Sequence, residues 1–198
     1  MLLSQYGTAI SAAIGSNDVK AAASALYWGC LKSELDDIRI VQDQRRKDVG
    51  FLPGDAKVAM ELMQRWPNDS NVVSGGCTAL SNIVRNHGRP GAVATVMVGA
   101  IEAVEDALLA HEGDETVQRN GIHVLKLVAL KSGEEGVAVQ GPDGKSYVNA
   151  EKAAVAMTIG TVESMRRKWA DHPEVIVHAD ELIDIMETVE EFKISSPK

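Results

Sequence analysis

The feature that most narrows what this chain can fold into is an internal repeat. Asp69, Val72, Gly76 and Leu80 recur as Asp114, Val117, Gly121 and Leu125, each 45 positions further on. Trp66, Val72, Gly76 and Leu80 recur again as Trp169, Val175, Ala179 and Ile183, 103 positions on, and Ala22 and Leu26 stand for Gly76 and Leu80 in a weaker copy near the start. A period of roughly 40–47 residues is the size of a unit of two or three helices. Such a unit cannot bury its apolar side alone, so successive copies stack into one continuous elongated core.

The spacing within a unit is helical. Ala92 to Val98 reads as a short apolar helix, and Ile101, Val104, Ala107 and Leu108 fall on one face of the next. His111-Glu112-Gly113-Asp114 breaks that helix, with Gly113 free to turn left-handed and Asp114 able to cap the next helix. Val117, Gly121 and Leu125, spaced four apart, then form the inward stripe of a last helix. The small residues at 76, 121 and 179 are expected to let a neighbouring helix approach closely. Composition agrees: hydrophobic residues are 45% of the chain but aromatics only 4%, so the core is built of aliphatic side chains suited to helix–helix packing.

With Ile101-x-x-Val104-x-x-Ala107-Leu108-x-x-His111, a turn, Glu115-x-Val117-Gln118-x-Asn120-Gly121 and Val124-Leu125, the chain resembles an armadillo repeat; Ala79-Leu80-Ser81-Asn82-Ile83-Val84 resembles the end of the third helix of such a repeat. The resemblance covers about residues 55 to 190, is loose over the first 50, and is shared in part by HEAT-type repeats. It implies an all-α superhelix, or solenoid, of about four repeats forming one domain over 1–198: an irregular repeat over about 1–50 and further repeats over about 55–90, 91–135 and 150–192.

Two segments interrupt the period. Leu35 to Lys47 is charged with a short apolar run and is expected to form an extra helix leading towards Pro53. Gly141-Pro142-Asp143-Gly144, flanked by Val137–Gln140 and Lys145–Val148, is a β-turn signal that predicts a small hairpin near 137–148. Gly144-Lys145-Ser146 echoes the end of a phosphate-binding loop, but the glycine that such a loop needs five positions earlier is Val139.

No constellation for catalysis is evident, and no cofactor is expected. The histidines, His87, His111, His123, His172 and His178, include no pair at the i, i+4 spacing of a helical zinc site, so no metal site is expected. Cys30 and Cys77 sit in apolar helical stretches as small hydrophobes, outside any Cys-x-x-Cys motif. A net charge of −8 removes the positive field that non-specific nucleic-acid binding requires. The start of the chain has neither a basic region nor a sustained apolar stretch, and no run reaches a membrane span. These features read as a cytoplasmic protein, a nuclear or processed organellar one being compatible with them. Asn68-Asp69-Ser70 fits a glycosylation acceptor but reads as a solvated turn.

The function expected is therefore a non-catalytic scaffold or adaptor for a protein partner, or a structural subunit of an assembly. The alternatives are a regulatory module of a longer polypeptide and an enzyme with a site near the 136–149 hairpin. The resemblance implies a concave groove lined by the last helix of each repeat: Ser74, Thr78 and Asn82, then Arg119, His123 and Leu127, then Val177, Glu181 and Ile185. Asn82 matches the asparagine ladder that grips extended peptides in armadillo proteins. Leu127 and Ile185 do not, and Thr78, His123 and Glu181 stand where tryptophans would, which argues against recognition of nuclear-import signals. The apolar positions suit a helix or the flank of another subunit. Trp28 is expected either as a binding anchor or, preferably, as a buried part of an end cap. The acidic C-terminal stretch, from Glu174 to Glu191, reads as a solvated face, with docking of a basic partner as the sharper alternative.

If the repeat assignment is right, Leu125 is a core residue, and Leu125→Ala is expected to lower stability by about 2–5 kcal/mol. Denaturant unfolding monitored by circular dichroism measures this, and an unchanged midpoint would sink the assignment.

Overall fold

A computed structural model describes residues 3–40, 51–132, 139–140, 146–147 and 150–191. These form helices α1 (Gln5–Ser16), α2 (Val19–Ile40), α3 (Asp55–Arg65), α4 (Ser70–His87), α5 (Arg89–Met97), α6 (Ala100–Ala110), α7 (Glu115–Lys131), α8 (Ala150–Ala156), α9 (Ile159–Lys168) and α10 (Pro173–Glu191). The protein is all-helical. Among the described residues, the only β structure is a two-residue antiparallel pairing of Val139–Gln140 with Ser146–Tyr147. The turn between those strands, with Gly144 and Lys145, lies outside the described residues.

The helix starts arise from local chemistry. Asp69 accepts from the Val72 amide at 3.1 Å, and 45 positions later Asp114 accepts from the Thr116 and Val117 amides at 3.0 and 3.1 Å. Each carboxylate satisfies amides that the first helical turn leaves unpaired. Gly88 (φ 58°) and Gly99 (φ 75°) supply the positive φ that the α4–α5 and α5–α6 junctions need. Gly113, expected to do so, does not: the Asp114 cap and a His111 amide bonded back to Ala107 close that turn without a left-handed residue.

The helices lie in two rows. The long helices α2, α4, α7 and α10 pack side by side in that order, each paired with the shorter helix before it: α1, α3, α6 and α9. The shorter helices also contact one another in sequence, and α5 and α8 pack against α7. The core runs along the space between the rows, with Ala22, Leu26, Leu62, Val72, Leu80, Val104, Leu108, Val117, Leu125, Val175 and Ala179 all buried. In α10 the inward stripe steps from Ala179 to Leu182, fully buried, and not to the expected Ile183, which is half-buried. Straight four-residue spacing drifts off a buried seam that alternates four and three, and 175, 179, 182 and 186 keep to it.

Successive pairs are tied through their turns. His111 Nε2 lies 2.6 Å from the Pro67 carbonyl oxygen, and Trp169 Nε1 donates to the Glu112 carbonyl at 3.2 Å. Buried Gln118 donates to the Leu108 and His111 carbonyls at 2.7 and 2.9 Å, capping the C-terminal end of α6 from α7. At the N-terminal end, buried Asp55 accepts from the Ser4 and Leu52 amides at 2.9 and 2.7 Å and fixes the start of α1 to α3. The expected separate helix over 35–47 does not begin at 35: residues 35–40 are the last turns of α2, and 41–47 lie outside the described residues.

Several glycines mark where helices touch. A methyl group at Gly76 would lie 2.5 Å from Met63 Cγ, and one at Gly121 would lie 2.7 Å from Leu108 Cδ2. At Gly91 it would meet backbone, 2.9 Å from both the Ile83 carbonyl carbon and Val84 Cα. A side chain can shift, whereas a helical backbone cannot. Gly121→Ala is therefore expected to cost about 1 kcal/mol, its strain partly offset by better helix propensity, and Gly91→Ala about 3 kcal/mol. Thermal unfolding of both variants checks the order, which fails if Gly121→Ala is the worse.

Candidate binding face along the long helices

The row α2–α4–α7–α10 carries all the expected groove positions, and the structure divides them. Ser74, Thr78, Arg119, His123 and Ile185 are half-buried, while Glu181 is exposed and Val177 is 50% exposed. Asn82 and Leu127 are only 2% and 7% exposed. These two are corrected from groove-lining to packed positions. Both helices are flanked on two sides within the row, α4 by α2 and α7, and α7 by α4 and α10. Asn82 keeps one bond, accepting from Arg85, and its Nδ2 is buried without a partner. Trp28 is corrected in the other direction. It is 56% exposed and stands edge-on to exposed Tyr27 at 5.3 Å, not buried in an end cap.

The face is held in register by polar side chains that apolar stripes do not display. Asn120 on α7 donates to Thr78 Oγ1 at 3.1 Å and to the Ser74 carbonyl at 3.5 Å on α4. Between α7 and α10, Arg119 pairs with Glu174 at 2.6 Å and Lys126 with Glu181 at 2.6 Å. Each pair is 55 residues apart, as are His123 and His178, whose ring centres are 4.6 Å apart. The recurring separation of opposite charges was the available sequence signal. The expected solvated acidic face on α10 is thus partly engaged within the chain, by Arg119 and Lys126 on α7 and by Arg166 pairing with Asp180 from α9.

His123, His178, Lys126 and Glu181 form one coupled group. The Lys126 ammonium donates to His178 Nδ1 at 3.0 Å, which puts the His178 ring proton on Nε2. Burial, reinforced by His178, Lys126 and Arg85 and opposed by Glu181, pushes His123 down to about 4. Burial and then Lys126 likewise hold His178 below its ordinary value, against the pull of Glu181. The hydrogen bond from Lys126 and its charge hold the Glu181 carboxyl below the usual range. Near neutral pH the face therefore presents two uncharged imidazoles beside an ammonium–carboxylate pair. Among the described residues, no three His, Cys, Asp or Glu side chains are grouped to hold a metal ion, and no helix is long and apolar enough to cross a membrane. Cys77 is buried, and burial pushes its thiol up to about 12, so it is inert as a nucleophile at neutral pH.

No family model, curated protein or solved structure matches the chain.

The Lys126 charge opposes protonation of both rings. Lys126→Met is expected to raise the pKa of His178 and of His123, and to raise that of Glu181 by removing its hydrogen-bond donor. Titration of the imidazole ring protons by NMR checks this, and an unmoved His178 would show that the ammonium is not seated against it.

Proposed function

We propose that the chain is an armadillo-like superhelix of about four repeats, with a small hairpin between the last two. In this reading it acts as a non-catalytic scaffold or adaptor that holds a protein partner along the row of long helices. The observation that carries the proposal is the side-by-side packing of α2, α4, α7 and α10, which lines up Ser74, Thr78, Arg119, His123, Val177 and Glu181 on one row. A regular surface of this kind is what stacked helical units build, and it offers contacts for a helix or a subunit flank more readily than a pocket for a small molecule. The mixture of exposed Val177 with ion pairs at Arg119 and Lys126 matches the apolar centre and polar rim of a protein–protein contact.

The test uses photo-crosslinking side chains placed singly at Ser74, at Val177 and at Leu109, which is exposed on α6 in the other row. The expected result is one protein crosslinked from both Ser74 and Val177 and not from Leu109. Combining Arg119→Glu with Val177→Asp is expected to weaken that complex by roughly tenfold or more, about 1.4 kcal/mol, with unfolding temperature little changed. Crosslinking from Leu109 alone would move the interface to the other row and overturn the reading.

A further inference from the structure

Among the described residues, helix α10 is the last of the row. It packs on α7 and α9, whereas α4 and α7 each have a long neighbour on both sides. The α7–α10 seam brings the imidazoles of His123 and His178 to 4.6 Å, while the stripe Val175, Ala179, Leu182 and Met186 of α10 is buried in the core between the rows. Four charged side chains act on those rings. Arg85 reaches from α4, Arg119 and Lys126 from α7, and Glu181 from α10. Three of these four are cations; Glu181 is paired with Lys126 at 2.6 Å and lies 3.8 Å from His178 Nδ1, and Arg119 is paired with Glu174 of α10 at 2.6 Å.

We propose that this seam is an acid-responsive joint: mild acidification releases α10 from α7 while the interior helices stay folded. Two imidazolium rings 4.6 Å apart beside Lys126 would repel each other and the ammonium, and the nearby carboxylates, Glu181 and Glu174, are already paired with Lys126 and Arg119. Release separates the rings and returns them to water, where each accepts a proton near its ordinary value of about 6.5. The released state then binds more protons than the docked one, so falling pH favours it. The docked state keeps its full advantage above about pH 6.5 and loses it progressively as pH falls towards the His123 value of about 4. The joint rests on the seam alone. Its consequence, loss of the Val177 and Glu181 part of the face, rests on the partner-binding reading above.

Backbone hydrogen exchange on the full chain at pH 7.5 and pH 5, corrected for the intrinsic pH dependence of exchange, tests the joint without any partner. Opening of α10 relative to α4 is expected to rise by roughly tenfold at the lower pH. The rise should vanish in a variant combining His123→Gln with His178→Gln, and shrink in Lys126→Met. The latter keeps both rings and serves where the double variant fails to fold. Equal loss of protection in α4 and α10, or an acid effect that persists undiminished in the variants, overturns the proposal.

Discussion

The architecture depends on the close crossing of each long helix with the shorter helix before it. Gly76 lets α4 sit against Met63 of α3, and Gly121 lets α7 sit against Leu108 of α6. The equivalent residue in α10 is Ala179, fully buried. A larger side chain at these points would lift the long helix off its partner and break the apolar contact that neither helix can replace alone. With the crossing fixed, the turn after each short helix falls at a repeatable place. His111 can then reach the Pro67 carbonyl and Trp169 the Glu112 carbonyl, linking one pair to the next.

That constraint was legible in the sequence because it acts within about 20 residues and recurs. The helices, the Asp69 and Asp114 caps and the stripe through Val117, Gly121 and Leu125 all derive from spacing and local chemistry. The parts that were not legible depend on how neighbouring pairs meet. By count Asn82 and Leu127 fall on the groove side of their helices, yet both are buried in a row whose helices are flanked on both sides. Gly113 looked like a left-handed turn residue because it comes after a helix and before a cap. The turn closes through hydrogen bonds from His111 and Asp114 instead.

The polar contacts along the row show the same division. Asn120 with Thr78, Arg119 with Glu174 and Lys126 with Glu181 join residues 42 to 55 apart, so no helical wheel displays them. Ion pairs open to solvent on at least one side, as these are, contribute little to stability, and the apolar core accounts for most of what holds the rows together. Their stronger effect is on register: at the α7–α10 seam, sliding by one turn would part both ion pairs and the two imidazole rings together.

Register also governs what the face can offer a partner. Because Arg119 and Lys126 are paired with carboxylates of α10, an acidic ligand would have to displace a bond already made, and gains less from them than from unpaired cations. Val177 lies between those pairs along α10 and is exposed without a polar competitor of its own. If the face holds a protein partner as proposed, apolar contact at Val177 with the charges setting orientation is the mode of recognition this arrangement would favour. Under the proposed joint, that contact would also depend on pH, since the helix that carries Val177 also carries His178.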